Sequence, residues 1–308
     1  MSSIRDLMNK PANPKTMDWM TRKYVLLFFF VACVSVPVSA QELMDLLEEE
    51  DTLEYVTNTF KSTRIINAQS VENPYPDNLI FVISHHFGRI NQGAYHLWGL
   101  DNATIRLGFE YGVNDRLAIA VGRSSYEKTF DGFVKFKLLR QQTGLGGMPM
   151  TVSWFSGVYL MSLRWGQDET ERTFSDRLSY VHQLLIARRF TPALSLQITP
   201  ALVRKNLVHD PGDPDSMFAL GLGGRIGITN RITLNAEYYF RFSKPVSPGF
   251  YNPLSVGFDF DTGGHVFQLH FTNTQPMFER GIISETRGSW LDGDIYFGFN
   301  ITRAFQLR

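Results

Sequence analysis

The chain has a single cysteine, Cys33, among 308 residues. It sits inside an apolar run, Tyr24 to Val36, which follows the basic stretch Met20-Thr21-Arg22-Lys23 and precedes Val38-Ser39-Ala40. Basic flank, 13-residue apolar core and small-residue cleavage site make a secretory signal peptide, too short for a membrane anchor. Residues ahead of Met17 or Met20 are out of place before such a flank and read as a mis-chosen start. Residues 1–40 are therefore assigned to the leader. Cleavage after Ala40 leaves no cysteine, which excludes disulfides and cysteine-ligated metals. No further run of about 18 apolar residues follows, so a transmembrane helix is excluded. Excess positive charge is also lacking. Beyond Ala40 there are 25 Lys and Arg against 28 Asp and Glu, and nucleic acid is not an expected partner. Cofactor signatures are missing too. Gly221-Leu222-Gly223-Gly224-Arg225 is not followed by a helical pattern, as a dinucleotide loop would be. His209 to Asp215 carries three carboxylates without the spacing or terminal glutamate of an EF-hand. No cofactor and no metal are expected.

What the chain has is aromatic residues, 25 Phe, 12 Tyr and 5 Trp, in a period-two pattern. The clearest case is Ala103 to Gly122. Ala103, Ile105, Leu107, Phe109 and Tyr111 share one face, and Thr104, Arg106, Gly108, Glu110 and Gly112 share the other. Val113-Asn114-Asp115-Arg116 then turns into Leu117-Ala118-Ile119-Ala120-Val121-Gly122, which makes a β-hairpin.

Twelve such strands are expected, near Leu79–Gly88, Ala103–Gly112, Leu117–Ser125, Phe133–Gln141, Met150–Met161, Leu178–Arg188, Leu194–Arg204, Met217–Ile228, Ile232–Phe242, Leu254–Asp261, His265–Thr272 and Asp294–Phe305. Most have the ~9–11 residues that a tilted strand needs to cross hydrocarbon. Their connections alternate between tight turns, such as Thr229-Asn230-Arg231, and long loops, such as Asn273–Gly293, with Gln142–Pro149 the one middling member of the short set. A soluble sandwich has no reason to keep that alternation. An outer-membrane barrel does: short turns face the periplasm, long loops face outward, and an even strand number leaves both termini periplasmic. The expected fold is all-β, a single antiparallel transmembrane barrel of about 12 strands over residues 78–308, in the outer membrane of a gram-negative cell. Residues 41–77 form a short pre-barrel segment, periplasmic or tucked into the lumen. Leu43, Leu46, Leu47, Leu53, Val56 and Phe60 recur at helical spacing, which predicts a short amphipathic helix within Gln41–Phe60. Outer-membrane lipid and the barrel insertion machinery are the expected partners. The C-terminal aromatic signal is Phe305, displaced three residues from the end.

Charges cost little in a wet lumen and about 2–4 kcal/mol at the lipid midplane. The interior parity therefore selects Arg106, Glu110, Lys135, Lys137, Arg225, Glu237, Arg241 and Asp259 as lumen-lining candidates. His86 is added as a rim or lumen histidine, and Phe109, Tyr238, Phe240, Phe258, Phe297 and Phe299 are expected to face lipid.

Thr63-Arg64-Ile65-Ile66-Asn67, Ser84-His85-His86-Phe87-Gly88, Ile105-Arg106-Leu107-Gly108 with Tyr111-Gly112, and Gly298-Phe299-Asn300 resemble a family of bacterial outer-membrane β-barrels defined as a domain of unknown function. The resemblance runs from about Phe60 to the C-terminus. It implies the barrel and carries no activity or site residues.

Three functions are open at this point. The first is a porin-like passive channel or binding barrel for a small polar or lipidic solute. The second is a lipid or peptide hydrolase at the rim, for which Ser84 and His86 share a face; residues two apart on a strand are nearly 7 Å apart, which argues against direct contact. The third is a structural barrel that serves partner proteins. His182 and His270 are read as possible lumen partners of His86 in a metal cluster.

Overall fold

The computed structural model describes residues 53–164, 173–208, 212–243 and 248–307. The leader, most of the expected amphipathic helix, and His209 with Asp210 lie outside the described residues. Over Leu53–Phe60 that helix is not found. Glu54–Tyr55 is instead extended and pairs with Gln142–Thr143 in a periplasmic turn.

Twelve antiparallel strands close into a ring. They are β1 (Asn78–Arg89), β2 (Ala103–Gly112), β3 (Leu117–Ser124), β4 (Phe130–Leu139), β5 (Thr151–Leu160), β6 (Leu178–Arg189), β7 (Leu194–Lys205), β8 (Ser216–Gly227), β9 (Ile232–Arg241), β10 (Leu254–Asp261), β11 (His265–Thr272) and β12 (Tyr296–Gln306). Each pairs with its sequence neighbour, and β12 closes on β1 through pairs such as Asn300↔Ser84 and Phe305↔Leu79. Closure satisfies the backbone without an edge, which hydrocarbon demands.

The tight turns are set by their side chains. Asn114 Oδ1 accepts the amides of Arg116 and Leu117, at 2.8 and 2.9 Å. Thr191 and Thr229 cap two other turns in the same way. Such short side chains hold a local turn without help from elsewhere in the fold.

Burial alternates along the wall. In β2, Thr104, Arg106, Gly108 and Glu110 are buried, while Ile105, Leu107 and Phe109 are exposed on the outside. An exposed apolar exterior over a polar interior inverts a soluble protein and fits a bilayer. Phe240 and Phe258 lie on that exterior, as do Phe297 and Phe299, which join Phe87, Phe271 and His85 in an aromatic cluster. Arginines stacked on aromatic rings mark both rims: Arg123 over Phe130 at the outer end, and Arg188 over Phe190 and Arg303 over Phe305 at the periplasmic end. No helix among the described residues is long and apolar enough to cross a membrane; the strands cross it.

Two segments that are not part of the wall enter the lumen. Residues 59–71 come in from the periplasmic side as a hairpin, with Arg64 bridged to Gln69 and the amide of Ile65 donating to the carbonyl of Ala68. The connection between β11 and β12 descends from the outer side and carries the helix α1 (Glu279–Ser284), buried on every side.

Candidate functional site

The interior of the barrel is built around the hairpin tip. The amides of Ile66, Asn67 and Ala68 all donate to the Glu237 carboxylate, at 3.1, 2.9 and 2.9 Å. The tip carbonyls are taken by wall amides: Gln268 and Asn235 donate to the carbonyl of Ile65, and Asn300 to that of Ile66. Gln197 reads both sides of the returning arm, donating to the carbonyl of Gln69 and accepting from the amide of Val71. Lys135 Nζ donates to Gln69 Oε1 and to the carbonyls of Ser70 and Glu72. The hairpin makes no sheet with the wall, so these side chains replace the missing ladder and keep its buried backbone satisfied.

Glycines in the wall make room for it. A Cβ at Gly223 would strike Ile65 Cδ1. A Cβ at Gly108 or Gly122 would lie 2.7 or 2.5 Å from the Arg106 guanidinium, which spreads across both positions. There Arg106 forms a two-pronged pair with Asp131, with Nε to Oδ1 at 2.9 Å and Nη2 to Oδ2 at 2.5 Å.

One carboxylate joins the two inserted segments. Glu279, at the start of α1, accepts from Arg64 Nη1 at 3.0 Å, Gln69 Nε2 at 2.8 Å and the Tyr159 hydroxyl at 2.6 Å. Burial raises the Glu279 carboxyl, but Arg64, Arg106 and these hydrogen bonds more than reverse that, and it lies below the usual 4.5. Nearer the outer mouth Arg280 bonds Glu285 at 2.8 Å and Glu127 at 2.6 Å, and Lys205 bonds Glu285 at 2.9 Å. Phe278, Ile282 and Ile283 pack into the same apolar cluster as Ile65, Phe155 and Tyr159.

The candidates from sequence all occupy the interior, at different depths. Arg225 sits by the periplasmic mouth, bonding the carbonyls of Asn58 and Pro192. Lys137 is beside it in depth, 3.7 Å from Glu72. Arg106, Glu110, Lys135 and Glu237 lie deeper, and Asp259 stands near the depth of Arg225. Glu110 is 3.9 Å from Arg64, and neither of its oxygens has a hydrogen-bond partner. Asp259 accepts from Gln268. Arg241 is at the outer end, against Asn252. The structure does not gather them into one cluster. It brings them instead onto partners that parity reasoning missed: Arg64, Gln69, Asp131, Tyr159, Gln197 and Glu279.

The histidines separate. His86 and His270 face inward and touch, Nε2 to Nε2 at 2.9 Å, with His86 Nδ1 at 3.1 Å from the carbonyl of Gln275. His182, the third histidine considered for the lumen, is on the lipid face, because outward residues of β6 are the even-numbered ones. It cannot join them, and among the described residues no group of three or more His, Cys, Asp or Glu side chains assembles a metal site. Ser84 is buried beside His86, but both nitrogens of His86 are engaged elsewhere, so Ser84 and His86 form no pair, as their spacing on the strand led one to expect.

A closed ring with an apolar exterior and a hydrogen-bonded polar interior defines an outer-membrane β-barrel protein. The chain belongs to the family described as Membrane bound beta barrel domain (DUF5777), whose model matches residues 60–305. No curated protein matches it. Among solved structures it is similar to the NanC porin, at 10% identity and a TM-score of 0.46 over 74% of this chain and 100% of that one. It is also similar to the KdgM porin, at 8% identity and a TM-score of 0.44 over 75% and 99%. An outer membrane channel from Pseudomonas putida F1 is similar at 11% identity and a TM-score of 0.41 over 76% and 97%.

Proposed function

We propose that the protein is a gated passage for small polar solutes, held closed by its own hairpin and α1. The observation that carries this reading is what fills the lumen. Small barrels are blocked by side chains of the wall itself. Here glycine, alanine, serine and threonine face inward at many wall positions, and the space is taken by two segments that belong to no strand. Between hairpin and wall at the periplasmic mouth lies a cavity of about 370 Å³, reached by Lys61, Glu72, Lys137, Arg140 and Asp261. Its charged lining suits a hydrated polar solute rather than a lipid.

Planar-bilayer recording tests the reading. Intact protein is expected to be silent or to open rarely. Deletion of residues 41–77 is expected to give small, discrete conductance steps, with ion selectivity that shifts when Arg106→Glu and Arg241→Glu are combined. Silence of the deleted form, in barrels shown to be folded, rules out the passage.

A further inference from the structure

The lipid face of β5, β6 and β7 breaks its own rule at one place. Pro200 lies in the interior of β7 and points outward. Proline has no N–H to give a neighbouring strand. The β6–β7 ladder accordingly runs through His182↔Leu202 and Gln183↔Ala201, stops, and resumes at Ile186↔Ile198. In that register Leu184 stands opposite Pro200, so its carbonyl has lost its cross-strand donor. One step along the same strand His182 also faces lipid, with Nδ1 3.0 Å from Ser156 Oγ and its ring parallel to Trp154. When the Ser156 hydroxyl donates to Nδ1, the ring proton is left on Nε2, on the opposite edge of the ring from Ser156. A groove of about 380 Å³ joins these groups, lined by Trp154, His182, Leu184, Pro200, Phe218 and Phe242.

A donor at the lipid face and a ladder carbonyl that lacks its donor are each costly in hydrocarbon, and ionisable side chains inside a membrane mark ligand sites by default. The two groups lie in one groove and have opposite needs. A single hydroxyl satisfies both, accepting from Nε2–H and donating to the carbonyl. An ester carbonyl only accepts, and an unsubstituted acyl chain does neither. We infer that this groove binds an acyl chain bearing a secondary hydroxyl, from a hydroxylated lipid of the outer membrane. The site is on the outer wall and does not involve the lumen, so it stands or falls separately from the gated passage.

The test uses the full chain, folded in detergent, with 3-hydroxytetradecanoate and tetradecanoate as probes and native mass spectrometry as the readout. The wild type is expected to retain the hydroxylated probe about tenfold better, the factor that one well-made hydrogen bond supplies. His182→Leu is expected to abolish the preference. Pro200→Val restores the missing amide, occupies the Leu184 carbonyl and is expected to lower the preference even if His182→Leu fails to fold. Equal retention of the two probes by the wild type overturns the site. So does an unchanged preference in either folded variant.

Discussion

The two segments that close the lumen are gripped in different ways. The hairpin is held by its backbone: Glu237, Gln268, Asn300, Gln197 and Lys135 bond to its amides and carbonyls. The loop that carries α1 is held by its side chains, with Phe278, Ile282 and Ile283 in an apolar cluster and Glu279 and Arg280 in ion pairs. A backbone grip recognises the shape of the turn and is largely indifferent to its residues. A side-chain grip depends on each residue in turn. The hairpin tip therefore answers first to changes in the wall residues that bond its backbone, whereas α1 answers first to changes in its own side chains; Arg64 and Gln69, which reach Glu279, join the two.

The largest expected effect is on the hairpin. Glu237→Ala leaves three buried amides without an acceptor, at about 1–3 kcal/mol each. The hairpin should leave the lumen, and protease cleavage within residues 61–70 should rise steeply while the wall stays resistant. Cleavage at the wild-type rate would break the comparison. Gly223→Val should act on the same hairpin more weakly, by forcing Ile65 out of its seat, with a loss of about 1–3 kcal/mol from overpacking. It should leave cleavage within α1 unchanged.

Glu279→Gln sharpens the contrast from the other side. It removes the nearer of the two carboxylates that Arg64 faces and should cost about 1–3 kcal/mol, because the buried guanidinium is left with only Glu110, at 3.9 Å. Both segments should loosen together, since this residue touches each. The smallest expected effect is that of acid. A carboxyl with its folded value depressed stabilises the native state above its unfolded value, and that stabilisation fades as pH falls through the folded one. The hairpin–α1 junction should therefore hold at neutral pH and weaken progressively below about 4.5, the ordinary value for Glu279. Hydrogen exchange of the hairpin amides across that range reads it out. Faster exchange as pH rises from 5 to 7, after correction for the intrinsic rate, would contradict the sign.

The wall was legible in the chain because its signals are local. Period two, turn chemistry at Asn114, Thr191 and Thr229, and alternating connection lengths all reside within a few residues. Parity also placed Arg106, Glu110 and Glu237 inside. Their partners were not legible, because pairs such as Arg64 with Glu279 or Ile66 with Glu237 join residues 215 and 171 positions apart. Nothing in Thr63-Arg64-Ile65-Ile66-Asn67 announces a hairpin that has no strand partner. α1 left no trace either: six residues without a side-chain cap, buried all round, show no amphipathic stripe. His182 was misread although its parity was available, since Leu178, Tyr180 and Leu184 set the outward face of β6.

The ring closes where β12 meets β1, the last wall strand against the first. The hairpin immediately precedes β1, and α1 lies on the connection that leads into β12. Each insert is thus tethered to one side of the closing seam. Because both tethers reach the seam, the strands that zip it are the ones that carry the inserts toward the lumen. A chain without residues 41–77 would have to close its seam around α1 alone, and its rate of assembly would report what the hairpin contributes to that closure.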